Sequence, residues 1–229
     1  MHGSPLDQHC WDGLVPLLRG KYRVITYDLR GHGSAASASP AVGMRDFTDD
    51  LAVLLDELDI TRTHLVGHSF GGQVAQRFAI EHPDSVRRLV LLCTRATPYP
   101  AFHEAARLLE KDGPGASTSA VSRWFPREAI AANVPPVRYA ATCVRAASPA
   151  VWAPILRTIA DFDVLVELPS LDTPAMVVAA EHDEVATPEA MAQIAAALPR
   201  GRFRLLGGAF HLVPLLEPER IASLVRTSA

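Results

Sequence analysis

The sequence predicts an α/β fold: a mostly parallel sheet flanked by helices, with a helical cap. Three observations point there. Short β-branched or leucine-rich runs alternate with longer stretches of helical periodicity, the pattern left by βαβ units. From residue 97 to residue 170 that alternation stops, and helical segments follow one another between prolines and glycines. At Gly67-His68-Ser69-Phe70-Gly71-Gly72, a strand-like run passes into a helical one through a turn rich in glycine.

The expected strands are residues 22–28, 63–67, 88–94, 175–180 and 202–206. Between the first two, residues 46–58 place Phe47, Leu51, Leu54, Leu55 and Leu58 on one stripe of a helix. Residues 73–80 continue the glycine-rich turn as a helix, and 188–198 and 217–225 read as helices with a proline in the first turn. The cap is expected to hold helices at 101–111, 120–125, 136–147 and 151–160. Domain organisation is therefore a core of residues 1–96 and 171–229, with residues 97–170 inserted as the cap.

Composition narrows the function classes. The 229 residues suit one large domain or one domain with an insertion, and 48% hydrophobic with 21% charged residues is ordinary for a globular chain. Lys plus Arg number 22 against 25 Asp plus Glu, a net charge of −3 that argues against nucleic acid as a partner. No apolar run approaches the ~18 residues of a membrane span, and residues 1–5 lack a charged-then-apolar signal pattern. Three scattered cysteines, Cys10, Cys93 and Cys143, form neither a disulfide framework nor a metal-binding spacing. The expectation is a cytoplasmic protein acting on a small molecule, with no metal and no cofactor. Oligomeric state is not readable from the chain.

The chemistry begins at Ser69. Glycine on both sides allows a sharp turn that thrusts the serine hydroxyl out of the sheet, toward the positive end of the following helix. A hydroxyl is a weak nucleophile, so a base and an orienting acid are required. Asp183 follows the 175–180 run and is the expected acid, with Glu181 and Glu184 read as surface residues; Thr94-Arg95-Ala96, after the preceding strand, offers no carboxylate. His211, in the loop after the 202–206 run, is the expected base, which completes the chain order Ser, Asp, His.

Together these residues resemble the α/β-hydrolase superfamily along nearly the whole chain. His2-Gly3-Ser4-Pro5-Leu6-Asp7, with Trp11, resembles that superfamily's oxyanion-hole segment, and Asp28-Leu29-Arg30-Gly31-His32-Gly33 its Asp-x-Arg-Gly-x-Gly turn. The resemblance implies that the backbone N–H groups of Ser4 and Phe70 form the oxyanion hole. Within the superfamily the chain is similar to the 3-oxoadipate enol-lactonase and small bacterial carboxylesterase group. Phe210 stands where glycine commonly precedes the histidine, and is expected to narrow the pocket or pack under the cap. In the cap, Arg123, Trp124 and Phe125 are candidate substrate-binding residues, since an interior arginine would suit a carboxylate-bearing substrate.

The reading is a serine hydrolase acting on an ester or lactone. Its alternatives are a perhydrolase, a carbon–carbon bond hydrolase or a biosynthetic cyclase on the same triad, and a non-catalytic ligand-binding pseudo-hydrolase. The resemblance also implies a sheet that lacks its N-terminal strands. Either the start was assigned late, or residues 22–28 re-pair against 63–67 to close the sheet, and Ser4 near a free N-terminus would be loosely held.

Overall fold

In the computed structural model, residues 1–39, 41, 43–114 and 118–227 are described. The sheet holds four parallel strands in the order β1 (Thr63–His68), β2 (Val86–Leu92), β3 (Ala175–Ala180) and β4 (Gly201–Leu206). All residues of β3 and most of β2 are buried, as expected where helices cover both faces of a parallel sheet. Edge strand β4 is largely exposed, and its Arg202 and Arg204 blunt an open edge.

The longer helices follow the expected stripes with bounds shifted by a few residues, while the single-turn helices at Val15–Leu18 and Val213–Leu216 have no counterpart among the expectations. α1 (Val15–Leu18) precedes α2 (Met44–Glu57), which buries Phe47, Leu51 and Leu55 on one face. Its first turn is closed by the Asp46 carboxylate accepting from the Gly43 N–H at 3.1 Å. α3 (Phe70–Glu81) is the crossover from β1 to β2, and α9 (Pro188–Ala197), capped by the Thr187 hydroxyl, crosses from β3 to β4. α10 (Val213–Leu216) and α11 (Pro218–Thr227) end the described chain.

Between β2 and β3 lie α4 (Ala101–Asp112), α5 (Thr118–Trp124), α6 (Arg127–Ala131), α7 (Pro135–Ala146) and α8 (Pro149–Asp161). Helix α6 has no counterpart among the sequence expectations, because a single turn is too short to show periodicity. This inserted region is tied to the rest of the fold at defined points. Tyr139 of α7 donates to the Asp7 carboxylate at 2.7 Å, and Arg77 of α3 makes a two-pronged bond to Glu167 at 3.0 and 2.9 Å. None of the described helices is long and apolar enough to cross a membrane.

One expected strand does not form. Residues 22–28 join no sheet, and among the described residues the backbone groups of 23–28 bond to no other backbone group. The expected re-pairing against β1 is therefore corrected. The β1 flank is met by Met1, whose nitrogen donates to the Val66 carbonyl at 2.7 Å and whose carbonyl accepts from His68 N–H at 3.1 Å. An apolar groove of about 1130 Å³, open to solvent and lined by Trp11, Tyr22, Leu55 and Val66 among others, separates the segment from β1. Its β-branched composition is that of a strand, but a ladder needs a neighbour at about 4.8 Å.

Amides of residues 23–28 should exchange with solvent ~100-fold faster than those of Val90 and Val177 in the buried strands, since no backbone bond protects them. Residue-resolved hydrogen exchange checks this; equal protection would mean that the segment is paired.

Candidate active site

Ser69 sits at the joint of β1 and α3 with φ 51° and ψ −118°, in the left-handed half of backbone space that a non-glycine residue avoids. The surroundings hold it there: its N–H donates to the Leu92 carbonyl at 2.9 Å, and its carbonyl accepts from the Thr94 hydroxyl at 2.7 Å. Glycine matters here through close approach. A Cβ on Gly71 would lie 2.5 Å from the carbonyl oxygens of Met1 and His2, so only glycine lets the N-terminal segment lie on the first turn of α3. A Cβ on Gly3 would likewise meet His68 Nδ1 at 2.8 Å.

Asp183 and His211 come from the loops after β3 and β4. Asp183 Oδ1 accepts from the N–H groups of Val185 and Ala186 at 2.9 and 3.0 Å, and Oδ2 lies 2.6 Å from His211 Nδ1. A carboxylate oxygen facing Nδ1 requires the proton on that nitrogen, which leaves the Nε2 lone pair facing Ser69 Oγ at 3.2 Å. Burial opposes ionisation of Asp183, but the His211 ring and the two backbone N–H groups outweigh it and hold the carboxyl below its ordinary range. Three residues from three separate loops are thus aligned in one hydrogen-bonded chain.

The segment carrying Ser4 is held through histidines. His2 Nδ1 faces the Gly3 carbonyl at 3.0 Å, so its Nε2 accepts from the Leu29 N–H at 2.9 Å. His32 Nδ1 faces the Arg30 carbonyl at 3.0 Å, and its Nε2 accepts from the Ser4 hydroxyl at 2.9 Å. Both rings are buried, and burial lowers the pKa of each, so each is a neutral, tautomer-specific link. The Asp28 turn joins the same assembly, its carboxylate accepting from Gln8 N–H and Ser34 N–H, each at 2.7 Å. Ser4 is therefore tied to the Asp28 turn through His32, within a segment that His2 also anchors, rather than loosely held as its position near residue 1 suggested.

A cavity of about 1160 Å³, counted out to solvent, lies between these loops and the cap. Ser69 and His211 open into it, as do Ser4 and Phe70, with Phe102, Trp124 and Trp152 contributed by the cap. Arg123 and Trp124 line it, and the Trp124 ring lies 6.4 Å from that of His211. Phe125 does not: it is 1% exposed, part of the core and absent from the lining, a correction to its expected role. Phe210 is absent from the cavity lining, so it does not narrow the cavity; its ring lies against His182 at 4.9 Å.

Most of the lining has no counterpart among the sequence expectations, Arg95 and Gln73 included. Arg95, in the stretch set aside for lacking a carboxylate, donates to the Val185 carbonyl at 2.8 Å, stacks on Tyr99 and lines the cavity. Gln73, one α3 turn beyond Ser69, lines it too, but its helical spacing looks like that of any core-facing position. Among the described residues, the cluster of metal-ligating types is Cys93, Asp183 and His211. Its acid and imidazole already bond to each other, and burial pushes the Cys93 thiol far up, away from the thiolate a metal needs.

A family model described as "Alpha/beta hydrolase family" matches residues 1–224. A protein from Pseudomonas syringae pv. syringae (strain B728a), named as a carbamate hydrolase, RutD, is 30% identical over 216 residues, 91% of this chain and 83% of that one. Among solved structures, an esterase from Thermogutta terrifontis is 31% identical with a TM-score of 0.89, covering 99% of this chain and 86% of that one. The enol-lactonase from Burkholderia xenovorans LB400 is 26% identical with a TM-score of 0.93, covering 99% and 88%.

His68, whose ring lies 5.0 Å from that of His211, is pushed down to about 3 from 6.5, mainly by burial. Its folded pKa lies below the unfolded one, so between pH 6.5 and about 3 the unfolded chain binds the extra proton. The associated stability is present above that window and falls as pH drops through it. Denaturant unfolding should show a loss of about 2 kcal/mol from this residue between pH 7 and pH 5, absent in His68→Gln. An unchanged pH slope in the variant would contradict this.

Proposed function

Because the chain belongs to the alpha/beta hydrolase family, we propose that it is a cofactor-free serine hydrolase acting on a carboxylic ester or lactone of a small molecule. The observation that carries the reading is the aligned chain Asp183 Oδ2–His211 Nδ1 at 2.6 Å and His211 Nε2–Ser69 Oγ at 3.2 Å. The esterase and the enol-lactonase among its structural relatives support the choice of bond.

In this reaction Ser69 Oγ attacks the carbonyl carbon while His211 Nε2 takes its proton. The oxyanion that forms is met by the backbone N–H groups of Ser4 and Phe70, the latter in the first turn of α3, whose dipole favours negative charge. As the C–O bond breaks, the leaving oxygen takes the proton from His211, and the acyl group remains on Ser69. Water, deprotonated by the same nitrogen, then attacks the acyl carbon; the bond to Ser69 Oγ breaks as His211 returns the proton to that oxygen, and the acid leaves. With a lactone the leaving oxygen stays tethered, so the product is a single hydroxy acid. Asp183 keeps the imidazole in the Nδ1–H tautomer throughout. Arg123 and Trp124 contact the substrate from the cap side.

A fluorophosphonate should label wild-type protein and leave Ser69→Ala unlabelled, read by mass spectrometry. Unlabelled wild type, or equal labelling of the variant, would favour a ligand-binding protein without hydrolase chemistry. Asp183→Asn should cut kcat by on the order of 10⁴-fold by imposing the wrong tautomer. A panel of short-chain esters, lactones and carbamates then sorts the bond type: turnover confined to carbamates would overturn the ester or lactone assignment.

A further inference from the structure

We propose that His68 is a positioning residue that holds the proposed base in place through the main chain of His211; the proposal rests on the triad reading above. His68 Nε2 lies 2.9 Å from the His211 carbonyl oxygen, both groups buried, and the two rings are 5.0 Å apart. An acceptor carbonyl requires a proton on Nε2, so His68 is the Nε2–H tautomer and donates. Its Nδ1 is buried without a partner, against Gly3. Among the described residues, this is the hydrogen bond that the main chain of His211 makes. The loop is anchored before it, by His182 N–H to the Ala209 carbonyl at 2.9 Å, and resumes bonding after it at the Leu212 carbonyl.

The chemistry explains why a main-chain tie matters. In the free enzyme, the His211 ring is held at both ends, by Asp183 and by Ser69. Once Ser69 carries an acyl group, its hydroxyl no longer offers that bond, and the ring must be aimed at an incoming water by what remains. Because His68 is the covalent neighbour of Ser69, the bond makes the nucleophile's strand end and the base's loop one unit. Burial keeps His68 neutral down to about pH 3, so this donor persists across the range in which a hydrolase works.

The test compares His68→Ala, His68→Asn and His68→Gln, since glutamine places an amide donor near the position of Nε2 and asparagine falls one methylene short. With p-nitrophenyl acetate, His68→Ala and His68→Asn should lose about 10- to 100-fold in kcat with KM little changed, and His68→Gln should recover most of it. The downfield Nδ1–H proton resonance of His211 should be sharp in wild type and His68→Gln, and broadened by exchange in the other two. If the alanine variant does not fold, the asparagine–glutamine pair carries the comparison. Wild-type kcat in His68→Asn, or a glutamine variant as impaired as the asparagine one, would overturn the proposal. Failure of the triad reading looks different: wild type itself is then unlabelled and inactive, while the His211 resonance still decides whether His68 holds the loop.

Discussion

Everything at the top of the sheet depends on one close approach of backbone to backbone. Ser69 is held at a positive φ between β1 and α3, and the missing side chain of Gly71 lets the carbonyls of Met1 and His2 rest on that turn. If either position carried a clash, the N-terminal segment would lift away, and Ser4 with it. Strain of this kind costs on the order of 1–3 kcal/mol and persists only where the surroundings over-determine it. Here Leu92, Thr94 and the body of α3 supply that determination.

Around this point the electrostatics are sorted by burial. His2, His32 and His68 are all kept neutral by desolvation, and each uses a specified tautomer to join two pieces of chain. Asp183 is the exception among buried groups, kept ionised because an imidazole and two amides replace its lost water. One charged acid among neutral rings fits the Ser-His-Asp proton shuttle proposed above.

The apolar cavity above Ser69 and the apolar groove beside β1 are similar in volume, about 1160 and 1130 Å³, yet differ in meaning. The first is lined by Ser69 and His211, which are hydrogen-bonded to each other; the second holds none of Ser69, Asp183 or His211. Size alone does not make a site, and the hydrogen-bonded chain from Asp183 through His211 to Ser69 distinguishes the two.

What the sequence determined by itself was local. Residues 175–180 form a strand with the expected bounds, the helices over 46–58, 73–80 and 188–198 appear within a few residues of expectation, and the turn at 67–72 carries its glycines in plain view. The candidate residues Ser69, Asp183 and His211 were legible because each is punctuation at a strand end, and strand ends are marked by composition. Tertiary structure decided what depends on partners distant in the chain. Residues 22–28 have a strand's composition and no ladder, because pairing requires a neighbour that composition does not encode. Phe125 turned inward while Trp124 faced the cavity, and Arg95 entered the lining through a bond to Val185, far along the chain. Backbone chemistry and hydrophobic period act over a few residues, whereas lining a cavity or completing a sheet is settled only when distant segments meet.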